Sequence, residues 1–335
     1  MPISMTRREL LRSGAVVGAS LLIDRQSRGE STEVRPETYT YKSVGDLAIK
    51  ADVYRQPNKK VTPAAVWIHG GALIGGNKGD VPRRVKRHML EAGYTLISLD
   101  YRLAPETKLT EIIQDIEDAF RWIWRDGPGL FNIDATRIAV VGGSAGGYLT
   151  LTSGFRVRPR PTVLLSLWGY VDLVGDWYSK PSPHPRHQQS KLTRIEAYRQ
   201  VSGPAISDSR DRTGDGGAFY QFCRQTGTWP QAVSGWDPIK EPERFYPFMP
   251  VKNVTAEYPP TVLIHGTNDT DVPYEQSAMM DEQFKQHDVP HLFISIPNGE
   301  HGLGGGDPKQ IDAAYAKAFA FVDEHLTRPG PQGRE

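Results

Sequence analysis

Six short runs of consecutive apolar residues, at 64–68, 94–99, 138–141, 162–167, 261–264 and 291–296, constrain the fold of this chain more than any other feature. Both faces of such strands must be covered, which is the condition of a parallel sheet enclosed between helices. Helical spacing fills the intervals. Ile112, Ile113, Ile116, Ala119, Phe120 and Ile123 form one apolar stripe, as a helix laid on a sheet requires. That helix is predicted to stop at Asp126-Gly127-Pro128, where glycine suits a left-handed cap and proline cannot continue. Further helical patterns cover 274–287 and 309–326. Ahead of them all, 38–44 and 47–54 alternate apolar with polar residues around a Gly45-Asp46 turn, the pattern of a hairpin. Strand and helix in alternation predict an α/β fold with a doubly wound, mostly parallel sheet.

One interval breaks the rhythm. Between 170 and 258 there is no alternation of strand and helix, Pro, Gly, Arg and Asp are frequent, and aromatic residues come in short clusters. This stretch is expected to be an inserted cap, with 202–217 polar enough for a mobile loop. The predicted organisation is therefore a putting-together of 37–169 and 259–328 as the catalytic domain, the cap at 170–258, and a tail at 329–335. Four of the seven tryptophans lie between Trp168 and Trp236, with Trp177, Trp229 and Trp236 inside the cap. They suit an aryl or sugar-ester pocket, but a small cap needs such residues for its own core, and that is the expected use.

Residues 1–36 are expected to be an export signal and linker. Thr6-Arg7-Arg8-Glu9-Leu10-Leu11-Arg12 precedes a weakly apolar stretch at 14–23, an order that resembles a twin-arginine signal. It predicts a periplasmic or extracellular enzyme, the alternative being a cytoplasmic one. The apolar stretch is too short to span a bilayer, which takes ~20 residues. With 40 basic and 39 acidic residues the net charge is +1, so no global field gathers phosphates and no nucleic-acid partner is expected. Cys223 is the single cysteine, which rules out an intramolecular disulfide and a thiolate metal site.

Three segments carry chemistry. Gly142-Gly143-Ser144-Ala145-Gly146-Gly147 follows one apolar run and opens a helical one. A G-x-S-x-G turn in that context holds a serine above the sheet and leaves the next N–H, that of Ala145, free at a helix N-terminus to meet an oxyanion. A glycine-rich corner that binds phosphate is the competing reading, though the dinucleotide spacing of three glycines is absent. His69-Gly70-Gly71-Ala72 ends another apolar run, and Gly71 and Ala72 are the candidate N–H donors that complete the oxyanion hole. His69 itself is expected to hold its own loop.

The third segment supplies partners from the loops after the last two runs: Asp269 and Asp271 in one, His301 in the other. The chain order Ser144, Asp, His301 is that of a nucleophile-elbow hydrolase. Asp269 is preferred, because Asp271 stands just before Val272-Pro273 and is expected to cap the next helix. His265 is expected to be structural.

These motifs, with Asp100-Tyr101-Arg102-Leu103-Ala104-Pro105-Glu106, together resemble the hormone-sensitive-lipase-like carboxylesterases of the α/β-hydrolase superfamily, and the stretch 266–273 resembles the prolyl-oligopeptidase and acyl-esterase branch. The resemblance covers roughly 64–326 apart from most of the cap. It implies an α/β-hydrolase fold and ester hydrolysis without a cofactor, on a small-molecule ester through Ser144; the cap has no counterpart in the resemblance. It also implies the catalytic role of Asp269, the first acidic position of that branch's loop. Arg102 and Glu106 are expected to form a buried pair bracing the oxyanion loop. A serine peptidase of the prolyl-oligopeptidase type and a catalytically silent binding protein are the alternatives.

Overall fold

The computed structural model describes residues 34–57 and 60–327; the twin-arginine segment and the tail at 329–335 lie outside them. Eight strands form one sheet: β1 (Glu37–Val44), β2 (Leu47–Tyr54), β3 (Thr62–Ile68), β4 (Thr95–Leu99), β5 (Ile133–Gly143), β6 (Val163–Leu167), β7 (Thr261–Gly266) and β8 (His291–Ile296). Their order is β1-β2-β4-β3-β5-β6-β7-β8. The hairpin β1–β2 and the β2–β4 pair are antiparallel, and every later pairing is parallel.

The central strands have an apolar face on each side, as their composition demands. In β3, Val66 and Ile68 enter the core beneath the helices α2 (Leu109–Phe131) and α3 (Ala145–Arg156), while Ala65 and Trp67 enter the opposite core. That second layer is closed by α1 (Arg83–Glu91) and by the helix Pro308–Thr327, through Val85, Met89, Phe319 and Val322.

The helix α2 does not end at Asp126-Gly127-Pro128. It runs through Pro128 to Phe131 and closes on Asn132, which adopts a left-handed conformation and donates its N–H to the Pro128 carbonyl. Phe131 is buried, with its ring 4.9 Å from Tyr39 and 5.2 Å from Trp122. Burying such a ring contributes about 2–3 kcal/mol, the same order as the ~3 kcal/mol that an interior proline costs, so packing overrides the local stop signal.

Between β6 and β7 the described chain forms short helices and 3₁₀ turns without a strand. Its aromatic residues form a core of their own. Tyr170, Trp177, Tyr178 and Trp229 pack against one another, and Tyr170 stacks on Tyr148 of α3 at 4.9 Å. Tyr148 also donates its hydroxyl to the Phe248 carbonyl, so α3 is the base to which the insertion is fixed.

The polar stretch 202–217 is held at defined points rather than free. Arg212, its side chain 3% exposed, forms an ion pair with Glu106 at 2.5 Å, and Ser209 exchanges hydrogen bonds with the backbone of Gly76. The expected Arg102–Glu106 pair is not formed. Arg102 instead meets Asp115 of α2 through Nε and Nη2, both at 2.8 Å, and Glu106 is left to the arginine of the insertion. Asp115 is fully buried inside α2 and takes up Arg102, while the Glu106 side chain, itself only 4% exposed, is paired by Arg212.

Candidate active site

The turn from β5 to α3 has the strained form that its glycines permit. Ser144 sits at φ 57°, ψ −123°, and donates its N–H to the Leu167 carbonyl at 2.9 Å. Such a conformation in a non-glycine residue costs about 1–3 kcal/mol and persists only where neighbours over-determine it. They do so by contact: a Cβ added to Gly146 would lie 2.0 Å from the Ile68 carbonyl oxygen, and one added to Gly142 would lie 2.2 Å from that of Gly146. The helix therefore starts directly against β3. Ala145, its first residue, is fully buried, and no acceptor among the described residues pairs with its N–H.

The loop after β3 curls tightly. Gly71, Ala72 and Leu73 have φ of 103°, 60° and 62° in succession. Each left-handed non-glycine residue costs roughly 1–2 kcal/mol, so this curl also needs external support. Tyr101 donates its hydroxyl to the His69 carbonyl at 2.9 Å and stacks on the His69 ring at 4.2 Å, and His69 Nδ1 donates to the Gly70 carbonyl at 2.8 Å. Burial lowers the His69 pKa to about 4 and keeps the ring neutral. His69 thus holds its loop, as the sequence suggested.

Asp269 and His301 come together from the loops after β7 and β8. His301 Nδ1 is 2.8 Å from Asp269 Oδ2. The other oxygen of Asp269 accepts the N–H groups of Asp271 and Val272, both at 2.9 Å. Burial alone raises the pKa of Asp269, but the hydrogen bonds of His265 and His301 outweigh it and bring the value down to about 2. Glu300 ties the two loops by accepting from the Thr270 N–H and hydroxyl. His265 is structural, with Nδ1 at 2.7 Å from Ser277 Oγ and Nε2 at 3.0 Å from the Val272 carbonyl.

Asp271 does not cap the following helix, which begins at Glu275 after Tyr274 and has no side-chain cap. It is drawn instead toward the insertion. Tyr220 donates its hydroxyl to Asp271 Oδ1 at 2.6 Å, and His187 Nε2 lies 3.1 Å from the same oxygen. Its other oxygen stays 3.9 Å from His301 Nε2, beyond hydrogen-bond range. The rings of the insertion compete for this carboxylate with the helix N-terminus and win, a contact with no signal in the local sequence.

Ser144, His301, Gly71, Ala72 and Asp271 line one cavity of about 520 Å³. The insertion contributes Ser209, Asp215, Gly216, Gly217 and Tyr220 to its wall. The sequence marks Tyr220 only as one of the aromatic residues of the insertion and carries no signal for the other four. Of the insertion's aromatics only Tyr220 reaches the cavity; the tryptophans do not line it.

The chain is 27% identical to the non-reducing polyketide synthase pkbA of Emericella nidulans over 329 residues, which is 81% of this chain but only 13% of the synthase. Among solved structures it is similar to a protein of unknown function from Staphylococcus aureus, at a TM-score of 0.69 and 22% identity, covering 87% of this chain and all of the other. It is also similar to an acetyl ester-xyloside bifunctional hydrolase from Caldicellulosiruptor lactoaceticus, at 0.62 and 21%, covering 88% and 97%. Its fold is shared with an α/β-hydrolase superfamily protein from Enterococcus faecalis, at a TM-score of 0.65 and 21% identity, covering 87% of this chain and 98% of the other. The BD-FAE family model matches residues 51–284, the stretch that holds Ser144, the loop after β3 and Asp269, and the chain belongs to this family.

Proposed function

We propose that the protein is a serine esterase that hydrolyses carboxylic esters through an acyl-enzyme on Ser144. The observation that carries the reading is the 2.8 Å contact between Asp269 and Nδ1 of His301, a histidine that lines the same cavity as Ser144. In this mechanism His301 Nε2 takes the Ser144 proton as Oγ attacks the ester carbonyl. Asp269 fixes the tautomer and stabilises the imidazolium. The N–H groups of Gly71, Ala72 and Ala145 receive the oxyanion. Collapse of the tetrahedral intermediate expels the alcohol with the proton from His301, and a water activated by the same imidazole then releases the acid.

The mixed wall of the cavity suits a polar alcohol. Asn77, Asp80, Ser209, Asp215 and the Tyr220 hydroxyl offer hydrogen bonds, and Ile74 and Ala72 are the apolar side chains present. A sugar ester is consistent with that wall, and the Caldicellulosiruptor hydrolase bears such a name.

The test is turnover of p-nitrophenyl acetate and butyrate by wild type and Ser144→Ala, with fluorophosphonate labelling of both. The expected result is loss of turnover and of the label in the variant. Equal rates, or a label that forms on another residue, overturn the reading.

A further inference from the structure

We propose that Trp229 and Arg212, both from the insertion, are positioning residues of the oxyanion hole: they hold the curl that aims the Ala72 N–H. The inference rests on the esterase reading and adds to it the group of residues that sets the geometry of that hole.

The argument follows the peptide planes from His69 to Ile74. Each carbonyl in this stretch accepts a hydrogen bond. Tyr101 serves His69 and the His69 ring serves Gly70; the N–H groups of Ile74 and Gly75 serve Gly71 at 2.8 and 2.7 Å. Three further planes depend on groups outside the loop. Trp229 Nε1 donates to the Ala72 carbonyl at 3.1 Å, the Ala104 N–H donates to Leu73 at 2.8 Å, and Arg212 Nη1 donates to Ile74.

A trans peptide is planar, so fixing a carbonyl fixes the next N–H on the opposite side. The Gly71 carbonyl determines the direction of the Ala72 N–H, and no acceptor among the described residues pairs with that N–H. What keeps the Gly71 carbonyl in place is the return of Ile74 and Gly75 toward it. That return requires Ala72 and Leu73 to stay left-handed, at φ 60° and 62°, which neither favours. The donors on Ala72, Leu73 and Ile74 hold those residues there, and two of the three come from the insertion.

Neither donor is an incidental contact. Trp229 is buried at 1% exposure inside the aromatic cluster, which locks its ring. Arg212 is held from the other side by Glu106, with Nε at 3.0 Å from Oε1, and by the Ala104 carbonyl at 2.8 Å. Both groups are thus fixed by packing or pairing before they reach the loop, as a preorganised oxyanion site requires.

The experiment compares wild type, Trp229→Phe and Arg212→Lys on p-nitrophenyl butyrate and on the matching thionoester, whose sulfur accepts hydrogen bonds weakly. Active sites are counted by fluorophosphonate titration, so that kcat refers to folded enzyme. A positioning role lowers kcat by about 10-fold to 100-fold with KM within about threefold. It also lowers the ratio of oxoester to thionoester rates, and weakens inhibition by a boronic acid in step with the loss of kcat. Trp229→Phe removes the N–H donor and keeps an aromatic ring in the cluster, though a smaller one than indole. Arg212→Lys keeps the charge, and reads the same effect independently should Trp229→Phe not accumulate as folded protein. Unchanged kcat and an unchanged rate ratio in the titrated variants overturn the proposal, even where thermal stability falls. Failure of the esterase reading is seen separately, as full turnover by Ser144→Ala.

Discussion

His265 Nε2 approaches to 3.3 Å the same Asp269 oxygen that His301 holds at 2.8 Å. The candidate catalytic acid therefore stands between two imidazoles, one facing the cavity and one fully buried behind it. Because Nε2 of His265 also faces the Val272 carbonyl, it carries the hydrogen, and Nδ1 accepts from Ser277. Replacing His265 by leucine strips partners from Ser277 and from Asp269 together. The expected outcome is a loss of about 1–3 kcal/mol in urea unfolding and about tenfold in kcat of the folded enzyme. Unchanged kcat would show that His301 and the backbone suffice to orient the carboxylate.

Acid stability should report the same carboxylate. Its folded pKa of about 2 lies below the ordinary 3.8, so the ionised form is favoured by folding. That stabilisation is complete above about pH 4 and disappears as the pH falls toward 2, with a size on the order of 2 kcal/mol. Asp269→Asn has no such dependence. The gap between the unfolding free energies of wild type and Asp269→Asn is expected to narrow from pH 5 to pH 2.5; a gap that stays constant contradicts the depressed value.

The Glu106–Arg212 pair is nearly inaccessible on both sides, at 4% and 3% exposure. Glu106→Gln leaves a buried guanidinium without its counter-charge and should cost about 3–5 kcal/mol. The double variant Glu106→Leu, Arg212→Met should recover much of that stability while remaining slow, since Ile74 has lost its donor. Calorimetry alongside kcat separates the two effects.

Much of this architecture was legible in the sequence, for a physical reason. The strands of a covered parallel sheet are apolar on both faces, so β3 to β8 announce themselves locally. The elbow at Ser144 and the loop at Gly71 do the same, because close backbone approach leaves few alternatives to glycine. What stayed hidden was pairing across long stretches of chain. Glu106 finds Arg212, Asp271 finds Tyr220 and Ala72 finds Trp229 through the packing of the insertion, and no spacing rule encodes such partners. The extension of α2 through Pro128 was hidden for a related reason, since Phe131 is rewarded by Tyr39 from the opening hairpin.

Two glycine substitutions should separate close approach from mere propensity. A Cβ on Gly146 collides with the backbone of β3, whereas one on Gly129, in the last turns of α2, meets nothing within 4 Å. Gly146→Ala is expected to give no soluble active enzyme or a loss above about 3 kcal/mol. Gly129→Ala should stabilise by about 0.5–1 kcal/mol through helix propensity. Thermal unfolding of the pair is sufficient.

The charges of the cavity wall are all of one sign. Asp80, Asp215 and Asp271 line it, and among the described residues no lysine or arginine does. Esters with an anionic alcohol should therefore show a lower kcat/KM than neutral esters of equal size, with a difference that shrinks as salt screens the field over ~10 Å at 0.1 M. A preference for anionic esters at low salt would contradict this.

The donors that reach the turn after β3 bind two distant parts of the chain into one heritable unit. A chimera that kept this turn but borrowed its 168–260 stretch from a relative would exchange the groups shaping the turn along with those facing the alcohol. Diversification of what is bound thus drags on how fast it reacts, and an engineer altering one should carry Trp229, Arg212 and Ser209 across with the graft.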